Sequence, residues 1–198
     1  MFKSLVLQQR PNKQCCEASG ASGEIMLKTI LPEQTIPISY YDCRYSVLRQ
    51  PLGFPRGAEI LSDDNQAIHS YFEKEDKVLS VGRAHVIPVD SDGTAADHAG
   101  PDATKCPGFG PLSKMENNRP AIQIRQMGTL ADERRKGLAA LVLSSLEDTS
   151  KQEFGAKFGF LQAREFAIPF YQSQGWKIID DPYSIEGIGP HRSMMKEL

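Results

Sequence analysis

The sequence predicts an α/β domain, because short stretches with the two-residue period of a strand alternate with longer stretches of helical period. Residues 121–127 alternate apolar and polar side chains, as in a strand with one buried face. After a charged turn that contains Gly137, apolar side chains recur at helical spacing through residues 138–148. This alternation is typical of α/β domains whose strands run in mixed directions.

Length, charge and cysteine usage limit the range of functions. At 198 residues the chain fits one domain with an additional tail or loop. A formal net charge of −2 without a basic block predicts no nucleic-acid partner. No apolar run has the length of a membrane span or the form of a secretory signal. The spacing typical of metal ligands is missing from the four cysteines, Cys15, Cys16, Cys43 and Cys106. We therefore expect a cytoplasmic protein with reduced thiols, no membrane partner and no metal.

We expect a mobile tail at residues 1–25 and a single domain at residues 26–198; whether Met26 is the true start stays open. The tail is rich in Gln, Ser, Gly and Lys without a sustained period. Residues 88–120 are dense in Asp, Gly, Ala, Ser and Pro, which predicts a long loop. We expect this loop to be free, and the alternative is that it folds over the substrate.

The elements before this loop follow from apolar spacing and turn residues. Between residues 37 and 57, five side chains are spaced for one face of a helix that prolines then end. Residues 68–72 and 78–87 predict two strands of a hairpin around a polar turn. The side chains on the predicted helix face are Tyr40, Tyr41, Tyr45, Val47 and Leu48.

The last third of the chain predicts three further elements. Residues 158–162 form a short apolar strand, and residues 164–173 form a helix with Gly175 just past its end. Ile178 and Ile179 begin another strand.

The most informative stretch is residues 127–143, where a strand end, a charged turn and a helical run follow one another. Backbone N–H groups at a helix start lack partners within the helix, and the helix dipole favours negative charge there. Gly137 lets a ligand approach the backbone closely. The cations Arg134, Arg135 and Lys136 oppose the helix dipole and therefore indicate an anionic partner such as a pyrophosphate.

The spacing Arg134-x-x-Gly137-x-Ala139 resembles the acetyl-CoA signature of the GNAT superfamily of N-acetyltransferases. Residues 163–176 resemble the closing strand and helix of that family, which end in Phe-Tyr-x-x-x-Gly-aromatic. Residues 187–196 resemble the Pro-His-x-x-Met-x-Lys end of its ElaA-like branch. Three matches in the family's order argue against coincidence.

The resemblance implies a GNAT-like fold, with a mixed central sheet, a splayed pair of strands and flanking helices. It implies acetyl-CoA as co-substrate, with its pyrophosphate at the helix start and its thioester beside the end of the family's fourth strand. Gln162 occupies a position where relatives often have an asparagine that contacts the cofactor. The residues implied to bind acetyl-CoA are Met127, Gly128, Thr129, Arg134, Arg135, Lys136, Gly137, Leu138, Ala139 and Gln162.

Acyl transfer from a thioester to an amine needs an acid for the departing thiolate and a base for the amine. Tyr171 matches the family tyrosine near the CoA sulfur, and a phenol carries its proton at neutral pH. The alternative for Tyr171 is an aromatic ring packed in the core.

Three histidines, His69, His85 and His191, are candidate bases because they titrate near neutral pH. His191 has the strongest case, since it lies in the family-like Pro-His segment; a structural role and an external water chain are the alternatives. Glu59 and Asp63 are predicted to be solvated surface residues, with binding of an ammonium group as the alternative.

The predicted function is direct transfer of an acetyl group from acetyl-CoA to a primary amine within a ternary complex. The acceptor, a small molecule or a protein amine, is not defined by the sequence. One alternative is a non-catalytic acyl-CoA sensor or regulatory module, and another is a generic nucleotide-phosphate site, for which the usual glycine signatures are missing. The fold is compatible with a homodimer, although no sequence feature defines an interface.

Overall fold

The computed structural model of the protein describes residues 24–101, 103–114 and 118–198. The predicted tail falls on residues that lie, apart from Glu24 and Ile25, outside these ranges, as do Cys15 and Cys16. Within the described ranges, no helix combines the length and the apolar character that a membrane crossing requires. The helices are α1 (Ile38–Leu48), α2 (Gly110–Lys114), α3 (Leu138–Phe154) and α4 (Ile168–Ser173). The strands are β1 (Met26–Ile30), β2 (Ile68–Lys74), β3 (Lys77–Ile87), β4 (Ala95–Ala96), β5 (Lys105–Cys106), β6 (Ala121–Thr129), β7 (Phe158–Arg164), β8 (Lys177–Ile178), β9 (Tyr183–Ile185) and β10 (Gly189–Glu197).

A central sheet of eight strands organises the described part of the chain. Its order is β1-β2-β3-β6-β7-β10-β8, with β9 paired beside β10. The described neighbours run antiparallel, apart from the parallel pair β6 and β7. The prediction of an α/β fold with mixed strand directions is therefore confirmed.

The parallel strands β6 and β7 pair over three residues and then separate. Their partners are Ala121 with Phe158, Ile122 with Gly159, and Gln123 with Phe160. Beyond Gln123, β6 continues to pair with β3, and β7 continues to pair with β10. A cleft therefore opens between the two strands towards their carboxyl ends.

One face of the sheet packs against α3 and α4 in the main apolar core. The core includes Ile122 and Leu161 from the sheet and Val142 and Leu146 from α3. The helix lies close to the sheet, because a Cβ atom at Gly82 of β3 would come within 2.9 Å of both Val142 and Leu146. A larger residue at position 82 would therefore push α3 away from the sheet.

The opposite face of the sheet packs against α1 through polar as well as apolar contacts. Helix α1 buries Tyr40, Cys43 and Arg44, with the Arg44 side chain fully buried. The Arg44 guanidinium donates to Asp64 at 3.0 Å, and Arg83 of β3 lies 3.3 Å from the same carboxylate. The predicted helix is confirmed, but its buried face includes a charged residue that apolar spacing could not reveal.

In residues 88–120, named here the 88–120 segment, the described residues do not form the free loop that was expected. Phe109 is fully buried against Phe160 of β7, with their ring centroids 5.1 Å apart. The Arg119 guanidinium donates to the carbonyl oxygens of Ile87 and Pro88, both at 2.8 Å. The expectation of a free loop was wrong because a few apolar and cationic side chains suffice to dock a polar segment on the sheet.

Several element bounds also differ from those predicted. Strand β1 was not predicted, and α3 continues past residue 148 to Phe154, where Gly155 adopts a left-handed conformation and ends it. The predicted helix at residues 164–173 is shorter, because β7 extends to Arg164 and α4 begins only at Ile168, beside Pro169. Proline fits the first turn of a helix, where its missing N–H needs no partner.

We expect Asp64→Asn to lower the free energy of unfolding by about 3 kcal/mol or more, because it leaves the guanidinium groups of Arg44 and Arg83 buried without their shared carboxylate. Urea unfolding measures the change. The matched control is Asp148→Asn, whose exposed ion pair with Lys151 should contribute about 0.5 kcal/mol or less. Equal effects of the two substitutions would contradict a stabilising role for the buried cluster.

Candidate active site

The turn before α3 presents a row of free backbone N–H groups. We call residues 134–139 the cradle. Within the described chain, the N–H groups of residues 135–139 donate no backbone hydrogen bond, and no side chain caps α3. Gly137 has a φ of 82°, and the position of its missing Cβ is open space. The cradle can therefore hold an anion on several N–H groups at once.

The cations of the cradle are exposed, and two of them are positioned by neighbours. The Arg134 guanidinium donates to the carbonyl oxygen of Thr129 at 3.3 Å, and Lys136 pairs with Glu133 at 2.9 Å. Arg135 has a φ of 64° and no side-chain partner among the described residues. This arrangement leaves positive charge available beside the free N–H groups, which suits a pyrophosphate.

The end of β6 forms the wall of the cleft that leads away from the cradle. Gln126 has a φ of 56° and coincides with a register shift against β3, which marks a β-bulge. Met127 packs into the main core, and Gly128 lies so close to α1 that a Cβ atom would collide with Val47. Thr129 and Gly128 pair with β3 on one side, so their other edge faces the cleft.

A cavity of about 60 Å³ lies where β6, β7 and β10 meet the 88–120 segment. Its wall is mainly polar and draws on four different parts of the chain. The lining residues are Asp97, Cys106, Ile124, Arg125, Gln126, Gln162, Ile185 and His191.

A hydrogen-bond network attaches the 88–120 segment to this cavity. The Arg49 guanidinium of α1 donates to the Asp97 carboxylate at 2.9 Å and to the Asp97 carbonyl oxygen at 2.8 Å. It also donates to the Gln126 side-chain oxygen at 2.8 Å, and the Gln126 amide donates back to the Asp97 carbonyl oxygen at 3.0 Å. Asp97 is thus held by two elements that are distant in sequence.

Gln162 lies in this wall and has two side-chain partners. Its amide nitrogen donates to the carbonyl oxygen of Pro107 at 2.7 Å, and its side-chain oxygen accepts from Gln123 at 3.1 Å. Both polar ends of the Gln162 side chain are therefore engaged. These bonds hold the 88–120 segment against the sheet, and a contact of Gln162 with the cofactor stays a prediction.

His191 enters the cavity as a neutral base. Its Nδ1 atom lies 2.8 Å from the carbonyl oxygen of Gly189, and a carbonyl only accepts, so Nδ1 carries the proton. Its Nε2 atom has no hydrogen-bond partner among the described residues. Burial lowers the pKa of His191 below its ordinary value, and the Tyr183 ring stacks beside the imidazole. At neutral pH, Nε2 can therefore accept a proton.

The other two histidines lie outside the cavity wall. His69 is fully buried, with Nε2 donating to the carbonyl oxygen of Asp64 at 2.8 Å, and burial lowers its pKa to about 4. Burial, followed by the charge of Arg83, lowers the pKa of His85 to about 3. Neither is positioned to act on a ligand there.

The two predicted surface carboxylates have internal partners. Glu59 is buried and accepts from the backbone N–H of Gly57 at 2.8 Å, which contradicts the expectation of a solvated residue. Asp63 is partly exposed and pairs with Arg83 at 2.9 Å. Neither carboxylate lines the cavity.

Tyr171 lies in the core on the α3 side of the sheet, away from the cavity that contains His191. Its ring packs edge-on against Phe170 and Trp176, with centroids 5.0 and 6.3 Å away. Burial raises the pKa of Tyr171 above its ordinary value, so the phenol keeps its proton at neutral pH. The hydroxyl has no hydrogen-bond partner in the described ranges, which leaves it free to donate to a ligand.

Cys106 places a thiol in the cavity wall, but this thiol is a poor nucleophile at neutral pH. Burial raises the pKa of this thiol to about 11, so the thiolate is scarce at neutral pH. Cys43 is also a free, buried thiol. The Cys106 thiol is therefore poorly suited to covalent catalysis.

Sequence reasoning missed several residues around the cavity, among them Arg49, Asp97 and Arg125. The two-residue period of β6 does place Arg125 on the face of Gln123, which was a usable signal. Asp97 stands in a polar segment with no periodicity, and its partner Arg49 is 48 residues away, so neither carried a local signal.

Residues 103–198 match the family model described as the acetyltransferase (GNAT) domain. Over this range, just under half of the chain, the sequence is similar to a GNAT acetyltransferase domain. The match includes the cradle, β6, β7 and β10, and it confirms the family resemblance on which the predictions rested. A GNAT acetyltransferase domain supports acyl transfer from a CoA thioester.

The chain is also similar to a curated protein and, in its fold, to solved structures. A UPF0039 protein of Schizosaccharomyces pombe is 41% identical over 78 residues, which make up 39% of this chain and 51% of that protein. The chain thus spans about half the length of the curated relative it matches. Escherichia coli ElaA shares the fold, with a TM-score of 0.58, 17% identity, and coverage of 88% of this chain and 100% of ElaA. A GNAT family acetyltransferase from Elizabethkingia anophelis with acetyl-CoA bound has a TM-score of 0.51, 12% identity, and coverage of 88% and 98%.

We expect ¹⁵N NMR of the imidazole to show His191 with a proton on Nδ1 and a pKa below 6.5, because burial disfavours its charged form. His191→Gln identifies the resonances by their loss. A pKa above 6.5, or a proton on Nε2 in the neutral ring, would contradict the assignment of Nε2 as the free base.

Proposed function

We propose that the GNAT domain transfers an acetyl group from acetyl-CoA to a primary amine in one step, within a ternary complex. The observation that carries this proposal is the separation of β6 from β7. The cradle lies beyond the carboxyl end of β6, and the cavity that contains His191 lies on the face of the sheet opposite α3. An acyl donor and an amine could then meet in the cleft from opposite faces. We further propose that residues 26–198 act together as a single domain.

The cradle fits the pyrophosphate of CoA. Its N–H groups at residues 135–139 are free, and Gly137 leaves the approach open. Arg134, Arg135 and Lys136 would add charge attraction, while Leu138 and Ala139 would contribute backbone N–H groups from the first turn of α3. The solved Elizabethkingia anophelis neighbour, which has acetyl-CoA bound, supports the choice of ligand.

The free edge of β6 would hold the rest of the co-substrate. Met127, Gly128 and Thr129 offer backbone groups on the side of β6 that β7 leaves unpaired. Bound acetyl-CoA would supply the acetyl group as an activated thioester. A backbone N–H aimed at the thioester oxygen would stabilise the negative charge that develops there.

The two proton transfers would occur on opposite faces of the sheet. His191 Nε2 would take a proton from the incoming ammonium group, which frees the amine nitrogen to bond to the acetyl carbon. Tyr171 would give its proton to the sulfur as the carbon–sulfur bond breaks, and the second proton that the nitrogen loses as the amide forms would restore the phenol. The phenol is protonated at neutral pH, as the role of an acid requires.

We expect Gly137→Glu to abolish CoA binding, because the new side chain fills the cradle and repels the pyrophosphate. The matched control is Gly155→Glu at the other end of α3, where glycine also has a positive φ and open space around it. Both changes strain the backbone similarly, so only a difference in CoA affinity reports the site. Calorimetric titration with CoA measures it, and wild-type affinity in Gly137→Glu would refute the cradle assignment.

We expect Tyr171→Phe to lower kcat by about 10²-fold or more while leaving CoA affinity within a few fold, since only the acid is removed. Thiol release with acetyl-CoA and a panel of primary amines measures turnover. Tyr71→Phe, another buried tyrosine in β2, serves as control and should keep wild-type turnover. Unchanged kcat in Tyr171→Phe would remove Tyr171 from the mechanism, and CoA binding by the wild-type protein without any turnover would favour a sensor.

A further inference from the structure

We infer that the acceptor is an amine with a carboxylate on the neighbouring carbon, as in a free α-amino acid, and that Arg125 binds this carboxylate in the cavity. The inference rests on the proposed function, because it names the substrate class of the same site. Arg125 would be a specificity-determining residue and would take no part in proton transfer.

Arg125 differs from three fully buried arginines that pack on this side of the sheet. Arg44, Arg49 and Arg83 each pair with an aspartate at 3.3 Å or less. Among the described residues, Arg125 has no carboxylate within ion-pair distance, and its guanidinium donates to the carbonyl oxygen of Ala96. A guanidinium has five donors, so most of those of Arg125 remain available.

The Arg125 side chain is half-buried as well as unpaired. Burial, followed by the charge of Arg83, lowers the pKa of Arg125 below its ordinary value. A desolvated cation without a counter-ion is unfavourable, and an anionic ligand would relieve that cost. The Ala96 carbonyl also restrains the guanidinium, so less side-chain entropy is lost when a carboxylate binds.

The carboxylate in the cavity wall, that of Asp97, already has a partner. The Asp97 carboxylate pairs with Arg49 at 2.9 Å and lies 3.7 Å from His98. The cavity wall therefore combines one neutralised carboxylate, one unpaired guanidinium and the neutral His191. Its electrostatics favour a ligand that carries a negative charge beside its amine.

The volume of the cavity fits the head group of an α-amino acid. A water molecule needs about 10–15 Å³ of such space, so 60 Å³ holds roughly four to six non-hydrogen atoms. An amine nitrogen, an α-carbon and a carboxylate group fall within that range. With the carboxylate on Arg125, the amine would share the cavity with Nε2 of His191.

The test compares amines that differ only in the negative charge of the neighbouring carboxylate. Each α-amino acid of a panel is assayed beside its carboxamide, with acetyl-CoA and the full chain, by thiol release. We expect kcat/KM to favour the acids by about 10- to 100-fold, the range for a charge-assisted bidentate hydrogen bond. Arg125→Gln should remove this preference by lowering kcat/KM for the acids alone, and Arg125→Lys should retain part of it.

A second readout does not depend on turnover. In the presence of CoA, the wild-type protein should bind N-acetyl amino acids more tightly than their amides in a calorimetric titration, and Arg125→Gln should bind both equally. Wild-type CoA affinity and thermal midpoint in Arg125→Gln would show that the variant is folded.

The outcomes separate this inference from the proposed function. Equal use of acids and amides by the wild-type protein, or an equal loss for both in Arg125→Gln, would overturn the role of Arg125 and leave the transferase intact. No thiol release with any amine despite CoA binding would refute the proposed function. In that case, failure of N-acetyl amino acids to bind more tightly than their amides would also overturn the carboxylate site.

Discussion

The short pairing between β6 and β7 is the constraint on which the candidate site depends. The strands share three residue pairs, anchored where Phe160 packs against Phe109, and then diverge. A strand edge without a partner exposes N–H and C=O groups that need hydrogen bonds. In this fold those groups line a cleft. The separation that interrupts the sheet therefore leaves backbone groups of β6 with which an extended ligand can form hydrogen bonds.

The bulge at Gln126 connects this cleft to the cavity behind it. A bulge shifts the register of β6 against β3 and turns the Gln126 side chain towards Arg49 and Asp97. The 88–120 segment is therefore tied to the strand at the point where the strand begins to diverge. The polar wall of the cavity, formed partly by this segment, depends on the bulge as much as on the loop itself.

Buried arginines hold the α1 side of the sheet together, which is an unusual solution for a core. Replacing such ion pairs with apolar residues is often neutral or stabilising, so their presence is weak evidence for stability alone. Their geometry points instead to positioning: Arg44 and Arg83 converge on Asp64, and Arg49 orients Asp97 in the cavity wall. Within this group Arg125 stands apart because its charge is directed to a ligand site.

The sequence by itself determined the cradle, because every part of it lies within a few consecutive residues. A glycine before a helical run, flanked by cations, dictates the free N–H groups wherever the segment is placed. The strand and helix periods likewise predicted β2, β3, β6 and most of α3. Only the tertiary structure decided the cavity, since Arg49 meets Gln126 across 77 residues and Gln162 meets Pro107 across 55. Local sequence patterns do not predict such contacts between distant side chains. The same contacts hold the 88–120 segment, whose composition predicted a free loop, in the wall of the cavity.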